Sequence, residues 1–206
     1  MRLIKLFFLS IVVLSLTNCA SGYKMIEPSS INYQSVKEND GLKFEYKYDL
    51  LKKKYAKKEE KKGIRIVAVK ITNNSGKDMQ FGKDFRLSYE NGNQINIVNN
   101  EYAFKTLKQS TASYLFYLLL APINLTTTET NNNGTTETNN IFPIGLILGP
   151  AIAGGNMIAA GTANKKFEQD LLGYNITDKV VKDGETIVGL ISIQSDRYDA
   201  LKLILD

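Results

Sequence analysis

This chain of 206 residues has one cysteine, Cys19, and no histidine. Imidazole acid–base chemistry, Ser–His or Cys–His nucleophile pairs and His/Cys metal sites are therefore excluded within a single chain. So is an intramolecular disulfide. What remains is carboxylate, lysine, tyrosine and hydroxyl chemistry. Ser21-Gly22-Tyr23-Lys24 has the spacing of a Ser–Lys nucleophile pair, but no Ser-Asp-Asn or Lys-Thr-Gly follows it. Gly149 and Gly154 have the spacing of a phosphate-binding loop, but Gly155 and Asn156 stand where Lys and Ser/Thr would contact phosphate and magnesium. Asp183/Glu185 and Asp196/Asp199 supply too few ligands for a calcium loop and read as turn residues. These residues assemble no catalytic set, no metal site and no cofactor site. A hydrolase or transferase relying on Asp, Glu, Lys or Tyr is the enzymatic alternative.

The setting of Cys19 suggests a different chemistry. Arg2 and Lys5 precede an apolar run at residues 6–16, and Leu16-Thr17-Asn18 leads into the cysteine. A basic start and a short apolar run make a secretory signal, too short to span a bilayer. The pattern resembles the lipobox of bacterial lipoproteins. That resemblance implies cleavage after residue 18, acylation of the Cys19 thiol and attachment to membrane lipid. More than one acyl chain anchors stably, each buried methylene contributing about 0.8 kcal/mol. Ala20, where an Asp would retain an inner-membrane lipoprotein, implies the outer membrane, facing the periplasm. Residues 19–40, with Pro28 and several serines, read as a tether.

Removing Arg2 and Lys5 lowers the formal charge from +5 to about +3, too mild to argue for nucleic acid. The lysine-rich stretch 52–62, KKKYAKKEEKK, is the most concentrated charge. Lys52, Lys53, Lys54, Lys57 and Lys58 are a candidate patch for anionic lipid. The alternative is a solvated hairpin end or short helix whose charge discourages edge pairing.

The elements around these residues alternate at the period of strands. Leu42, Phe44, Tyr46, Tyr48 and Leu50 alternate with charged residues after an Asp40-Gly41 turn. Residues 64–72, IRIVAVKIT, read as a central strand, followed by the turn Asn73-Asn74-Ser75-Gly76. Phe85, Leu87 and Tyr89 alternate before the hairpin signal Asn91-Gly92. Residues 186–193, TIVGLISI, and the C-terminal Leu201, Leu203 and Leu205 add further strands. The expected fold is mainly β, an antiparallel sandwich over residues 41–206 interrupted by an insertion at 101–173. The NNSG turn, "DFRL" and "GETIVGLISI" resemble the immunoglobulin-like domains of bacterial lipoproteins.

The insertion carries two uncharged apolar segments, 112–123 and 141–163, separated by the polar stretch LTTTETNNNGTTETNN, which reads as a mobile loop. Together they predict an apolar helical hairpin. Pro122 ends the first helix, Pro143 suits the start of the second, Pro150 breaks or kinks it, and Gly173 ends it. Gly145, Gly149 and Ala153 recur at spacing four, as do Ala151, Gly155 and Ala159, so small-residue stripes offer close helix packing. Three placements follow: partial insertion into the bilayer beside the anchor, packing on the sandwich, or self-association through the stripe. The first is favoured, since Lys105, Lys108, Lys165 and Lys166 flank the hairpin base at head-group positions.

From Cys19 onward the chain resembles an uncharacterised family of Bacteroidota lipoproteins. The resemblance rests on Tyr23-Lys24-Met25-Ile26-Glu27-Pro28, residues 45–51, "KKYAKKE", "VKITNNS", "LKQSTASYL", "GLILGPAIAGGNMIAA" and "ANKKF". It implies no activity. The expected function is a non-enzymatic, lipid-anchored binding or scaffolding module of the cell envelope, partnered by membrane lipid and an envelope protein, with no nucleic acid. A homo-oligomeric membrane-assembly component is the alternative.

Overall fold

The computed structural model describes residues 19–33 and 35–206; the expected signal peptide, 1–18, lies outside them. The chain forms two compact units. One holds the described residues up to Gly22 together with Gln109–Ala163, the other Tyr23–Lys108 together with Asn164–Asp206. In chain order the strands are β1 (Ser35–Asn39), β2 (Leu42–Lys47), β3 (Ile64–Asn73), β4 (Met79–Gln80), β5 (Phe85–Tyr89), β6 (Asn96–Val98), β7 (Leu125–Thr130), β8 (Thr136–Phe142), β9 (Val180–Val181), β10 (Thr186–Gln194) and β11 (Leu201–Leu205). The helices are α1 (Lys53–Lys62), α2 (Asn100–Leu107) and α3 (Ile144–Gly173), with 3₁₀ helices at Pro28–Ser30 and Ala112–Leu120.

In the larger unit, β3 is apolar on both faces and takes the centre of a five-stranded antiparallel sheet ordered β1-β2-β3-β10-β6. Its register with β10 pairs Val67 with Ile191 on one face and Ala68 with Leu190 on the other. Val67, Val69 and Ile71 join Phe44 and Tyr46 of β2 against the ribbons β5–β11 and β4–β9, which contribute Phe85, Leu203 and Met79. A glycine is required at Gly189 on this face: a Cβ there would overlap the Ile176 side chain and lie 2.5 Å from the Tyr174 carbonyl oxygen.

Helices line the opposite face. Tyr55 of α1, Phe104 of α2 and Phe167 of α3 are buried, with ring centroids 4.9 Å apart for Tyr55–Phe167 and 5.9 Å for Phe104–Phe167. Asn100 crosslinks this layer. Its Nδ2 donates to the Leu171 carbonyl at 2.8 Å and to the Leu190 carbonyl at 3.2 Å, while its Oδ1 accepts from Ser192 Oγ at 2.6 Å. Buried polar groups remain tolerable when each is partnered in this way.

The antiparallel sheets agree with the sequence reading, but strand and helix hold nearly equal shares, 33 % and 32 %, so the fold is mixed rather than mainly β. Two causes are visible. Residues 53–62 form a helix, and α2 with the end of α3 packs within the larger unit instead of belonging to a separate hairpin. The stretch read as a tether is also packed. Tyr23 Oη donates to Asp170 Oδ2 at 2.9 Å, Ile26 N donates to the same oxygen at 2.6 Å, and Ile26 and Pro28 are buried.

In the smaller unit, the polar stretch read as a mobile loop is the hairpin β7–β8, with Thr128 opposite Thr138 and Thr130 opposite Thr136. β-Branched threonines favour a pleated strand, and Gly134 takes the positive φ of the turn.

Replacing Phe167 by alanine removes the ring shared by Tyr23, Tyr55 and Phe104. A loss of about 3–5 kcal/mol in unfolding free energy is expected, read as a lowered urea midpoint with unchanged slope.

Candidate functional site

The smaller unit gathers what the sequence marked as membrane-related. Residues 112–120 form a 3₁₀ helix, where side chains three apart eclipse one another. Tyr114, Tyr117 and Leu120 therefore share one side. The two tyrosine rings stack at 6.4 Å and pack on Ala153 and Ala160 of α3. The same period sends Leu115, Phe116, Leu118 and Leu119 outward, Phe116 and Leu119 being 74 % and 75 % exposed.

The two small-residue stripes separate. Gly145, Gly149 and Ala153 are buried: a Cβ on Gly145 would overlap the Leu120 carbonyl oxygen, and one on Gly149 would lie 3.0 Å from that of Tyr117. Gly145 N donates to the Ile123 carbonyl at 2.8 Å. Ala151, Gly155 and Ala159 are exposed, with open space beside Gly155. The close approach is thus made inside the unit, by the first stripe. Pro150 does not end α3. It removes one ladder donor in the second turn, and the helix runs on to Gly173.

Leu146, Ile147, Leu148 and Ile158 of α3, with Leu125 and Phe142 of the β7–β8 hairpin, extend the exposed apolar surface. By length and composition α3 could cross a membrane, and only 22 % of its apolar window is buried. A core helix of this composition would be mostly buried; isolated exposed apolar residues are ordinary, but so many on one small unit are not.

Cys19 is exposed in the same unit. The next two residues are clamped: Ala20 N donates to Asn156 Oδ1 at 2.5 Å, and Ser21 N donates to Gln109 Oε1 at 2.9 Å. Gln109 Nε2 returns a bond of 2.7 Å to the Ser21 carbonyl. The phosphate-loop spacing at Gly149–Gly154 lies within α3, where a helix leaves no cradle of free N–H groups. Among the described residues no group of three or more His, Cys, Asp or Glu could hold a metal. Asp183 and Glu185 fasten turns, accepting from Gly76 N and Lys182 N at 2.9 Å.

The lysine patch belongs to the larger unit and is reorganised by α1. Lys52 precedes the helix and donates to the Asp49 carbonyl at 3.1 Å. Lys53 and Lys57 are exposed, and Lys54 and Lys58 half-buried. Lys58 Nζ donates to the Lys108 carbonyl just past α2. Burial first, then Lys62, Lys108 and Lys54, hold the Lys58 ammonium below its ordinary pKa.

Tyr55 and Glu59, four apart, form the inward stripe of α1. Tyr55 Oη donates to Asn164 Oδ1 at 2.9 Å, and Glu59 Oε1 accepts from Ile66 N at 2.7 Å. Burial pushes the Glu59 carboxyl up to about 7, opposed by the Ile66 N–H and by Arg65. The sequence reading missed both Glu59 and Asp170 as interior groups. Helical spacing could have found them: Asp170 lies three after Phe167, and Glu59 four after Tyr55.

Compared with protein-family models, with curated proteins and with solved structures, the chain matches none.

Two outcomes follow from this geometry. Gly145→Val should destabilise the smaller unit, with overpacking of about 1–3 kcal/mol or more, whereas Gly155→Val should leave it intact; limited proteolysis within residues 109–163 reads the difference. The second concerns Glu59, whose folded pKa lies above its unfolded value. The folded protein therefore holds the proton between about 4.5 and about 7 while the unfolded chain has lost it. Stability should fall as pH rises through that window, by up to about 1.4 kcal/mol per pH unit, and level off above it. Glu59→Gln should abolish this slope in urea melts; a slope unchanged by the substitution would assign it elsewhere.

Proposed function

We propose that the protein is a lipoprotein of the bacterial cell envelope, acylated on Cys19 and held in the outer membrane facing the periplasm. Its smaller unit dips an apolar surface into the lipid, and its larger unit serves as a non-enzymatic binding or scaffolding module. One observation carries the reading: Cys19 and the exposed apolar surface of residues 115–158 belong to the same compact unit. An acyl chain leaving Cys19 and side chains such as Phe116 and Leu119 call for the same solvent. About twenty residues of α3, from Ile144 to Ala163, also correspond to ~30 Å of helix, the thickness of a hydrocarbon core.

The resemblance to uncharacterised Bacteroidota lipoproteins agrees with this placement. For the larger unit we infer an immunoglobulin-like arrangement of the five-stranded sheet and the β5–β11 and β4–β9 ribbons, supported by their shared core. A second reading, self-association, is supported by one observation: the Ala151–Gly155–Ala159 stripe is exposed, with open space at Gly155. Small residues four apart permit close helix approach within lipid.

The test is alkaline extraction of membranes from cells producing a Cys19→Ala variant behind a cleavable signal. Retention in the pellet is expected, and release once Phe116→Ser and Leu119→Ser are added. Complete release of the Cys19→Ala protein alone would show that acylation is the sole attachment.

A further inference from the structure

One edge of the five-stranded sheet borders a cleft. The cleft has a volume of 280 Å³ and lies within the larger unit, between β1 and β11 and over Leu42, Phe44 and Leu203. It is smaller than the ~300–1,000 Å³ of small-molecule pockets. Its floor is the margin of the core, since those three residues are at most 4 % exposed. Its walls are strand backbone. Lys37, Glu38 and Asn39 are consecutive in β1, and Lys202, Leu203 and Ile204 are consecutive in β11. Successive side chains of a strand point to opposite faces, so three in a row line a cleft only where the strand presents its edge.

The register shows which backbone groups these edges offer. In an antiparallel pair, residues that exchange hydrogen bonds alternate with residues whose N–H and C=O point away. Asp40 and Gly41, both at positive φ, make a two-residue turn, so Asn39–Leu42 and Lys37–Phe44 are the bonded pairs. Val36 and Glu38 therefore turn their N–H and C=O outward. On β11, Glu90 N donates to the Ala200 carbonyl at 2.8 Å and Asp206 N to that of Asp84 at 3.2 Å, which leaves Leu203 facing away from β5. Among the described residues, the outward backbone groups of Val36, Glu38 and Leu203 have no hydrogen-bond partner. The side chains add a charge. Lys37 Nζ is 2.6 Å from Glu90 Oε1 and ties β1 to the chain after β5. Glu38 is exposed and enters no ion pair among the described residues; Lys43, its cross-strand neighbour, turns to Glu45 at 3.5 Å.

We infer that β1 is a docking edge for an extended segment of a partner protein, which adds to the sheet as a sixth strand, apolar where it faces the cleft and basic opposite Glu38. This rests on the reading of the larger unit as a binding module and names its kind of partner; it does not depend on the lipid anchor. Unpaired N–H and C=O groups at strand spacing are matched by another extended backbone, and the cleft beside them accepts its alternate side chains. Pairing puts the partner residue opposite Glu38 on the outer face of the sheet, where a lysine or arginine completes the charge. The residues on either side of it turn inward over Leu42, Phe44 and Leu203. A second copy of β1 fits less well. A two-fold axis through Lys37 or Glu38 sets like charges opposite each other, and one through Val36 gives Glu38 no cation.

The test uses the full chain with Cys19→Ser in detergent and two capped nonapeptides, one alternating valine with lysine and the other valine with glutamate. The lysine peptide should bind about fivefold more tightly. Hydrogen exchange at the Val36 and Glu38 amides should slow when it is bound. Glu38→Lys should reverse the preference between the peptides. Glu38→Pro removes an outward N–H that the ladder to β2 does not use, at a position where edge strands accept proline. It should weaken binding about tenfold. Should circular dichroism show that this variant misfolds, Glu38→Lys decides the matter alone. Binding unchanged by both substitutions would overturn β1 as the site and leave a binding module acting through another surface. Binding of neither peptide would overturn the inference, while alkaline extraction reports separately on the membrane placement. A dimer in sedimentation that Glu38→Pro dissociates would assign the edge to a second copy instead.

Discussion

Strand β3 cannot be left open on either side. From Ile64 to Val69 every residue is buried, so both faces of the sheet need cover. Short ribbons cover one face and helices the other, and this requirement explains most of the larger unit. The chain detours through α1 between β2 and β3, which brings Tyr55 and Glu59 under the sheet. The Phe167 end of α3 belongs to the same layer. Fully burying one such side chain contributes about 1.5–3 kcal/mol, so this helical layer is not ornament on a β domain.

The smaller unit solves a different problem. Its interior is thin: two stacked tyrosines, a seam of glycine and alanine, and a glutamine clamp on Ser21. Leu120, Ile152 and Met157 pack against the tyrosines, while Leu115, Leu118, Leu119, Leu146, Ile147, Leu148 and Ile158 are exposed. The β7–β8 hairpin is polar over residues 126–139, between Leu125 and Phe142, and joins the two apolar segments with paired backbone rather than loose chain.

Much of this was legible in the residues. Period-two alternation located β2, β5 and β11, the β-branched run located β3, and asparagine–glycine and aspartate–glycine pairs located the turns. The spacing-four glycines announced a close approach, although residue types alone did not separate the buried stripe from the exposed one. That separation depends on a partner helix of period three, a property that the sequence ASYLFYLLL does not declare. The packing of residues 23–28 was hidden for a related reason. Pro28 and scattered serines look like linker composition, and it is the buried Asp170 on a distant helix that accepts from Tyr23 and Ile26, with the Tyr55 and Phe167 rings beside Tyr23.

That last contact has a consequence for assembly. Tyr23 and Asp170 are 147 residues apart in sequence. A chain made from its N-terminus presents Tyr23 and Ile26 first, yet their acceptor emerges only when most of the polypeptide has followed. Closing so large a loop is slow and entropically costly. Tyr23 and Ile26 therefore gain this contact only after Asp170 has been synthesised.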